Sequence, residues 1–98
     1  MNTKYTILSQ LLGSYFHQDW AEEFSDSTRA LNEIISCEPA DTLKNSLTEI
    51  DQLLELKLTE EDYRDIMTST IGCYFEPSSE KTNYSEWLSK IARQFKEN

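Results

Sequence analysis

One stretch concentrates the side chains that could do chemistry. In Tyr15-Phe16-His17-Gln18-Asp19-Trp20-Ala21-Glu22-Glu23-Phe24, four of the chain's eleven aromatic residues stand among three carboxylates and its single histidine. A histidine two residues from an aspartate can be half of a proton-transfer pair or of a metal site. A zinc centre, however, takes three or four ligands at set spacing, and nucleophilic catalysis needs a nucleophile within reach of its base. The chain has no HxxxH, no CxxC, no glycine-rich phosphate loop and no GxSxG. The stretch therefore predicts no catalysis, no metal and no cofactor, and a hydrolase centred on His17 and Asp19 is the remotest of the readings it allows. Two nearer readings remain. Phe16, Trp20 and Phe24 are spaced by four, which places them on one helical face as core. Alternatively, the polar members His17, Gln18, Asp19, Glu22 and Glu23 form a recognition surface presented by the aromatic anchor beneath them.

The elements that would position these residues are helical. With 98 residues the chain is sized for one domain, and only two glycines and two prolines argue against a turn-rich β-sandwich or barrel. A first helix is expected from Thr3 to Gly13, with Ile7, Leu8, Leu11 and Leu12 inward. A turn through His17 leads to a short helix capped by Asp19, with Glu22 at the capping-box position, and Trp20 and Phe24 inward. Ser25-Asp26-Ser27 launches a helix from Thr28 to Cys37 with Ala30, Leu31, Ile34 and Ile35 inward, and Pro39 fits the first position of the next. There Leu43, Leu47, Ile50 and Leu54 form a stripe that Leu53 widens, opposite Asp41, Glu49, Gln52 and Glu55. Thr59 caps a helix whose first turn holds Glu60, Glu61 and Asp62 and whose inward row is Tyr63, Ile66, Met67 and Ile71, ending at Gly72. Residues 73–79 make an irregular link around Pro77. Asn83 and Glu86 then start a last helix carrying Tyr84, Trp87, Leu88, Ile91 and Phe95. The expectation is an all-α bundle of five or six helices, residues 1–98 forming a single domain, with Trp20, Phe24, Leu47, Leu54, Ile66, Trp87, Leu88 and Ile91 in its core.

Charge is the strongest compositional signal. Residues 19–76 hold 15 acids against 4 bases, a net of −11 within a chain of net −9. Such a surface repels nucleic acid and anionic lipid and speeds encounter with basic proteins, although acid also simply aids solubility. Neither a basic segment followed by an apolar run at the start nor an apolar run of about 18 residues is present, which predicts a cytoplasmic protein that does not span a membrane. Cys37 and Cys73 are expected to be reduced, small buried hydrophobes.

The sequence as a whole resembles a known family. Leu11-Leu12-Gly13-Ser14-Tyr15-Phe16-His17-Gln18-Asp19-Trp20, then Gly72-Cys73-Tyr74 with Pro77, then Tyr84 and Trp87-Leu88 with Ile91 resemble the small helical CdiI proteins, the immunity proteins of contact-dependent growth inhibition. The resemblance spans residues 8–95. The YFHQDW segment is its specific part, whereas the WL helix alone would be weak. It implies a cytoplasmic bacterial inhibitor, not an enzyme, that binds the C-terminal toxin domain of its cognate CdiA one-to-one and binds no nucleic acid or membrane itself. Many such toxins are nucleases, whose phosphate-binding surface must be basic, and an acidic inhibitor covering that site agrees with the charge pattern. The expected toxin-binding residues are Tyr15, His17, Gln18, Asp19, Glu22, Glu23 and Asp26, with Glu49, Glu55, Glu61 and Asp65 as secondary candidates. The alternative is a helical adaptor or regulatory subunit whose acidic surface binds an endogenous basic protein.

Overall fold

A computed structural model of the chain describes residues 5–97. Six α-helices follow one another: α1 Thr6–Tyr15, α2 Trp20–Glu23, α3 Ser27–Cys37, α4 Ala40–Glu55, α5 Glu60–Asp65 and α6 Tyr84–Lys96. A π-helical turn, Ile66–Ile71, continues α5, and a 3-10 turn, Pro77–Glu80, precedes α6. There is no strand among the described residues, so the fold is all-α as expected. The two longest helices, α4 and α6, pack on each other; α1 lies across α4 and the π turn, while α3 and α5 close against α6. The shared core is aliphatic at α1, α3 and α4, where Leu8, Leu12, Leu31, Ile34, Ile50 and Leu53 are fully buried. It is aromatic where α6 meets the link after Gly72.

Of the expected core, Trp87, Leu88 and Ile91 are fully buried, whereas Trp20, Phe24, Leu47, Leu54 and Ile66 are half-buried residues packed at its margin. The reasons are local. α2 is a single turn at the surface and cannot bury a whole face. On α4 the buried row runs Leu43, Ser46, Ile50, Leu53, so Leu47 and Leu54 flank it. A serine in that row is tolerated because its hydroxyl donates to the Leu43 carbonyl at 2.7 Å within the same helix.

The helix ends depart from expectation in informative ways. The expected start of α1 at Thr3 lies outside the described residues. Its expected end at Gly13 is overrun, since the helix continues through Gly13 to Tyr15. Gly13 costs α1 helix propensity, yet a Cβ there would sit 3.0 Å from the Ile71 carbonyl oxygen, so the glycine permits close packing of α1 on the π turn. Gly72 does end its helix, in the left-handed region at φ 81°, where the following N–H of Cys73 returns to the Met67 carbonyl at 2.8 Å. Pro39 is the residue before α4 and not its first. Asp26, Thr59 and Asn83 each cap a helix by accepting from the N–H three residues on. The Glu86 carboxylate does not complete a box with Asn83 and instead accepts from the Thr82 hydroxyl.

Three further carboxylates cap helices from a distance. Glu49 of α4 accepts from Ile7 N and Leu8 N at the start of α1, at 3.1 and 2.8 Å. Glu80 accepts from Ser27 N and Ser27 Oγ at the start of α3, at 2.8 and 2.7 Å. Glu60 accepts from Tyr84 N and Ser85 N at the start of α6, at 2.6 and 3.2 Å. Every helix start leaves N–H groups without intrahelical partners and carries a positive partial charge, so a carboxylate from another element both satisfies them and ties the two elements together.

Candidate functional site

The site begins with an aromatic platform. Phe16, directly after α1, is buried and stacks edge-on against Trp87 at 5.1 Å, while Phe75 stacks on Trp87 at 4.1 Å with the planes 26° apart. Trp20 of α2 closes the set over Phe16 and Phe75, at 5.1 and 5.6 Å. The Trp87 indole N–H donates to Ser27 Oγ at 3.3 Å, and that hydroxyl donates to Glu80 at 2.7 Å, so the innermost ring is fixed by the same carboxylate that caps α3. The backbone joins in: Tyr74 N donates to the Phe16 carbonyl at 2.8 Å, which stitches the link after Gly72 to the link after α1.

On this platform the 17–23 segment is held by its histidine. His17 Nδ1 accepts from the Asp19 backbone N–H at 3.1 Å, and Nε2 lies 3.2 Å from the Glu23 carboxylate. An Nδ1 that accepts places the ring proton on Nε2, facing Glu23. Both ring nitrogens are therefore engaged in holding the turn, and the Asp19 carboxylate is not the partner of the ring. Asp19 precedes α2, but its side chain makes no capping bond; the Glu22 N–H bonds the Asp19 backbone carbonyl at 3.0 Å instead, so the expected capping box is absent. The consequence for the surface is that Gln18, Asp19, Glu22 and Glu23 are all exposed, and among them only Glu23 has a side-chain partner.

The remaining candidates divide by position. Tyr15 is engaged with the end of α3, its hydroxyl donating to Glu38 at 3.0 Å; burial first and the Glu38 carboxylate second push its phenol up to about 12. Asp26 is half-buried and is occupied in capping α3. Glu49 is the α1 cap described above. Glu55, Glu61 and Asp65 are exposed on α4 and α5 and share no bond with the 15–26 segment. Among the described residues no group of three or more His, Cys, Asp or Glu side chains is placed to hold a metal ion, and no helix is long and apolar enough to cross a membrane. Cys73 is buried, but Cys37 lies exposed at the end of α3, contrary to the expectation of two buried cysteines. The last turn of α3 faces outward there, and the Cys37 thiol reaches the Glu33 carboxylate at 3.2 Å.

Two features escaped the sequence reading. Arg64 makes a bidentate pair with Glu76 at 2.8 and 3.0 Å and covers the Tyr84 ring at 5.7 Å; it holds the Glu76 carboxyl below the usual range. The other is Tyr74, exposed between buried Cys73 and buried Phe75. A readable signal for it existed: in an extended segment neighbouring side chains point to opposite sides, so one of three successive apolar residues had to face water.

Fold and site together define an all-helical protein of acidic composition in which exposed carboxylates of α2 stand beside an aromatic cluster. The chain belongs to the CdiI immunity protein family, whose model matches residues 4–95. It is similar to a chain in the crystal structure of a CdiA-CT/CdiI complex from Y. kristensenii 33638, at 33% identity and a TM-score of 0.86, over 94% of this chain and 98% of that one. A comparison with curated proteins found no match.

Proposed function

We propose that this chain, acting as one domain, is the immunity protein that binds the C-terminal toxin domain of its cognate CdiA one-to-one in the cytoplasm and inhibits it. The toxin in this reading is a nuclease, and the acidic patch covers its basic nucleic-acid site. The observation that carries the reading is the arrangement at α2: Gln18, Asp19, Glu22 and Glu23 stand exposed on a turn that His17 and Trp20 hold, so the backbone beneath the three carboxylates is placed before binding and only side-chain rotamers remain to be ordered. Family membership and the likeness to a chain of a CdiA-CT/CdiI complex support it, as does the net charge of −9. No step of catalysis is assigned to the protein. Glu55, Glu61 and Asp65 extend the acidic field; Tyr15, Asp26 and Glu49 serve the patch by fixing the elements around it.

The test uses cells that express the cognate toxin domain, together with purified proteins. Co-expression of this chain is expected to restore growth, and the pair to elute as a one-to-one complex. Replacing Glu22 and Glu23 by glutamine is expected to slow association and flatten its dependence on salt, since exposed charges act over about 8 Å at physiological ionic strength. Wild-type association rates in that variant at two salt concentrations would remove α2 from the interface.

A further inference from the structure

We infer that Tyr74 is the anchor of the toxin interface and that the partner's matching feature is an arginine or lysine laid against its ring. The inference rests on the proposed function for the identity of the partner. Its observations are separate.

Tyr74 is 62% exposed, and the only other exposed large hydrophobic residue among those described is Leu56 at 49%. The exposure is not that of a loose loop. Gly72 turns the chain, Cys73 N is bonded to Met67 O, Tyr74 N is bonded to Phe16 O, and the residues on both sides are 1% exposed. The backbone beneath the ring is thus held by two hydrogen bonds and two buried side chains. A large amphipathic ring on a fixed base, with two rotatable bonds to order, is the kind of residue that dominates interface energetics.

Its surroundings state the charge of what covers it. On one side the Tyr74–Phe16 backbone bond joins its link to the residue before His17, and so to the segment that carries the exposed carboxylates of α2. On the other, a shallow cavity floored by Cys73 and Phe75 runs from Tyr74 past Thr68 to Glu76 and Tyr84. The Glu76 carboxylate on its lining is already engaged by both Arg64 nitrogens and by Ser78, through its hydroxyl and its backbone N–H. A long cationic side chain fits this geometry: its aliphatic stem packs into the cavity and its charge lies over the Tyr74 face. An acidic side chain would gain neither the cation–π contact nor the attraction of a chain of net charge −9, so the feature favours a basic protein face.

The test measures affinity and dissociation rate for the cognate CdiA C-terminal toxin domain with the full chain. Tyr74→Ala is expected to weaken binding about 30-fold or more, mainly through faster dissociation, with an unchanged melting temperature. Tyr74→Phe, which keeps the ring, and Leu56→Ala are expected to stay within about threefold of wild type. Thr68→Arg, which fills the cavity with a like charge and leaves the ring in place, is expected to weaken binding comparably to Tyr74→Ala. Tyr74→Ala and Thr68→Arg both binding like wild type would overturn the inference while leaving the immunity reading intact. Failure of the wild-type chain to bind the toxin domain would overturn both.

Discussion

Removing the Glu49 carboxylate probes whether the acids of this chain are scaffold or surface. Glu49 is half-buried and holds the start of α1 through two bonds, at 2.8 Å to Leu8 N and 3.1 Å to Ile7 N. α1 has no side-chain cap of its own, because Tyr5 precedes it in the left-handed region. Hydrogen bonds involving a charged group are each worth about 1.5–3 kcal/mol net, and the charge gains a further ~0.3–1 kcal/mol from the helix dipole. Because two bonds to one carboxylate are not additive, Glu49→Ala is expected to cost about 2–3 kcal/mol, within the range for losing a strong helix cap and a partly buried partner. Glu49→Gln can accept one of the two N–H groups but turns its amide N–H2 toward the other, so about 1–2 kcal/mol is expected. In a domain of this size each kcal/mol moves the melting temperature by about 4–8 °C, which makes Glu49→Ala roughly 10–20 °C less stable. Urea unfolding followed by the fluorescence of Trp20 and Trp87 reads the effect directly. A Glu49→Ala melting temperature within about 2 °C of wild type would refute the capping argument, since no loss of two charge-assisted bonds is that small.

Trp87→Ala removes a ring that is 1% exposed, stacked on Phe75 and bonded to Ser27; a loss of about 3–5 kcal/mol of unfolding free energy, read as a lower denaturant midpoint, is expected, and an unchanged midpoint would contradict the platform. In native protein one thiol, Cys37, is expected to react with a thiol reagent, while Cys73, buried and pushed up to about 12, reacts only on unfolding; Cys37→Ser should leave no native reactivity. Tyr15 is held up at about 12 against an ordinary 10.0, so its contribution to stability is complete below pH 10.0 and is lost as pH rises toward 12. Spectrophotometric titration should show a late-ionising phenol that Tyr15→Phe removes.

Much of the fold was legible because its signals are local. The rows Ala30, Leu31, Ile34 on α3 and Tyr84, Trp87, Leu88, Ile91, Phe95 on α6 are set by helical periodicity, and they are buried as that periodicity requires. Thr59 and Asn83 cap as expected, and within the Ser25-Asp26-Ser27 launch it is Asp26 that caps, because the N–H each accepts lies three residues away. Glu49, Glu60 and Glu80 could not be read in the same way: their partners are 41 or 42, 24 or 25, and 53 residues distant, and nothing in the sequence around a glutamate names a helix start so far off. The same limit applies to Gly13, whose neighbour Ile71 is brought in only by packing. At the candidate site Phe16 and Trp20 do pack together, but not on one helical face as their spacing suggested: Phe16 follows the end of α1 and Trp20 opens α2. The role of His17 was not legible, because its partners, the Asp19 backbone and Glu23, are selected by a tight turn that no residue type announces.

The acids thus form two populations with different physical constraints. Glu49, Glu60 and Glu80 are each bonded to backbone N–H groups at the start of another element, so their loss exposes unsatisfied donors and loosens α1, α6 and α3. Asp19 and Glu22 make no side-chain bond among the described residues, so exchanging them costs little stability. A binding protein arranged in this way can change the charge it shows at α2 without disturbing the platform of Phe16, Phe75 and Trp87 that holds α2 in place. The distinction also decides how charge-neutralising variants must be interpreted. A glutamine at position 22 that alters toxin affinity reports on the interface, whereas one at position 49 reports first on α1, and any change in its affinity has to be corrected for the unfolded fraction before it says anything about recognition.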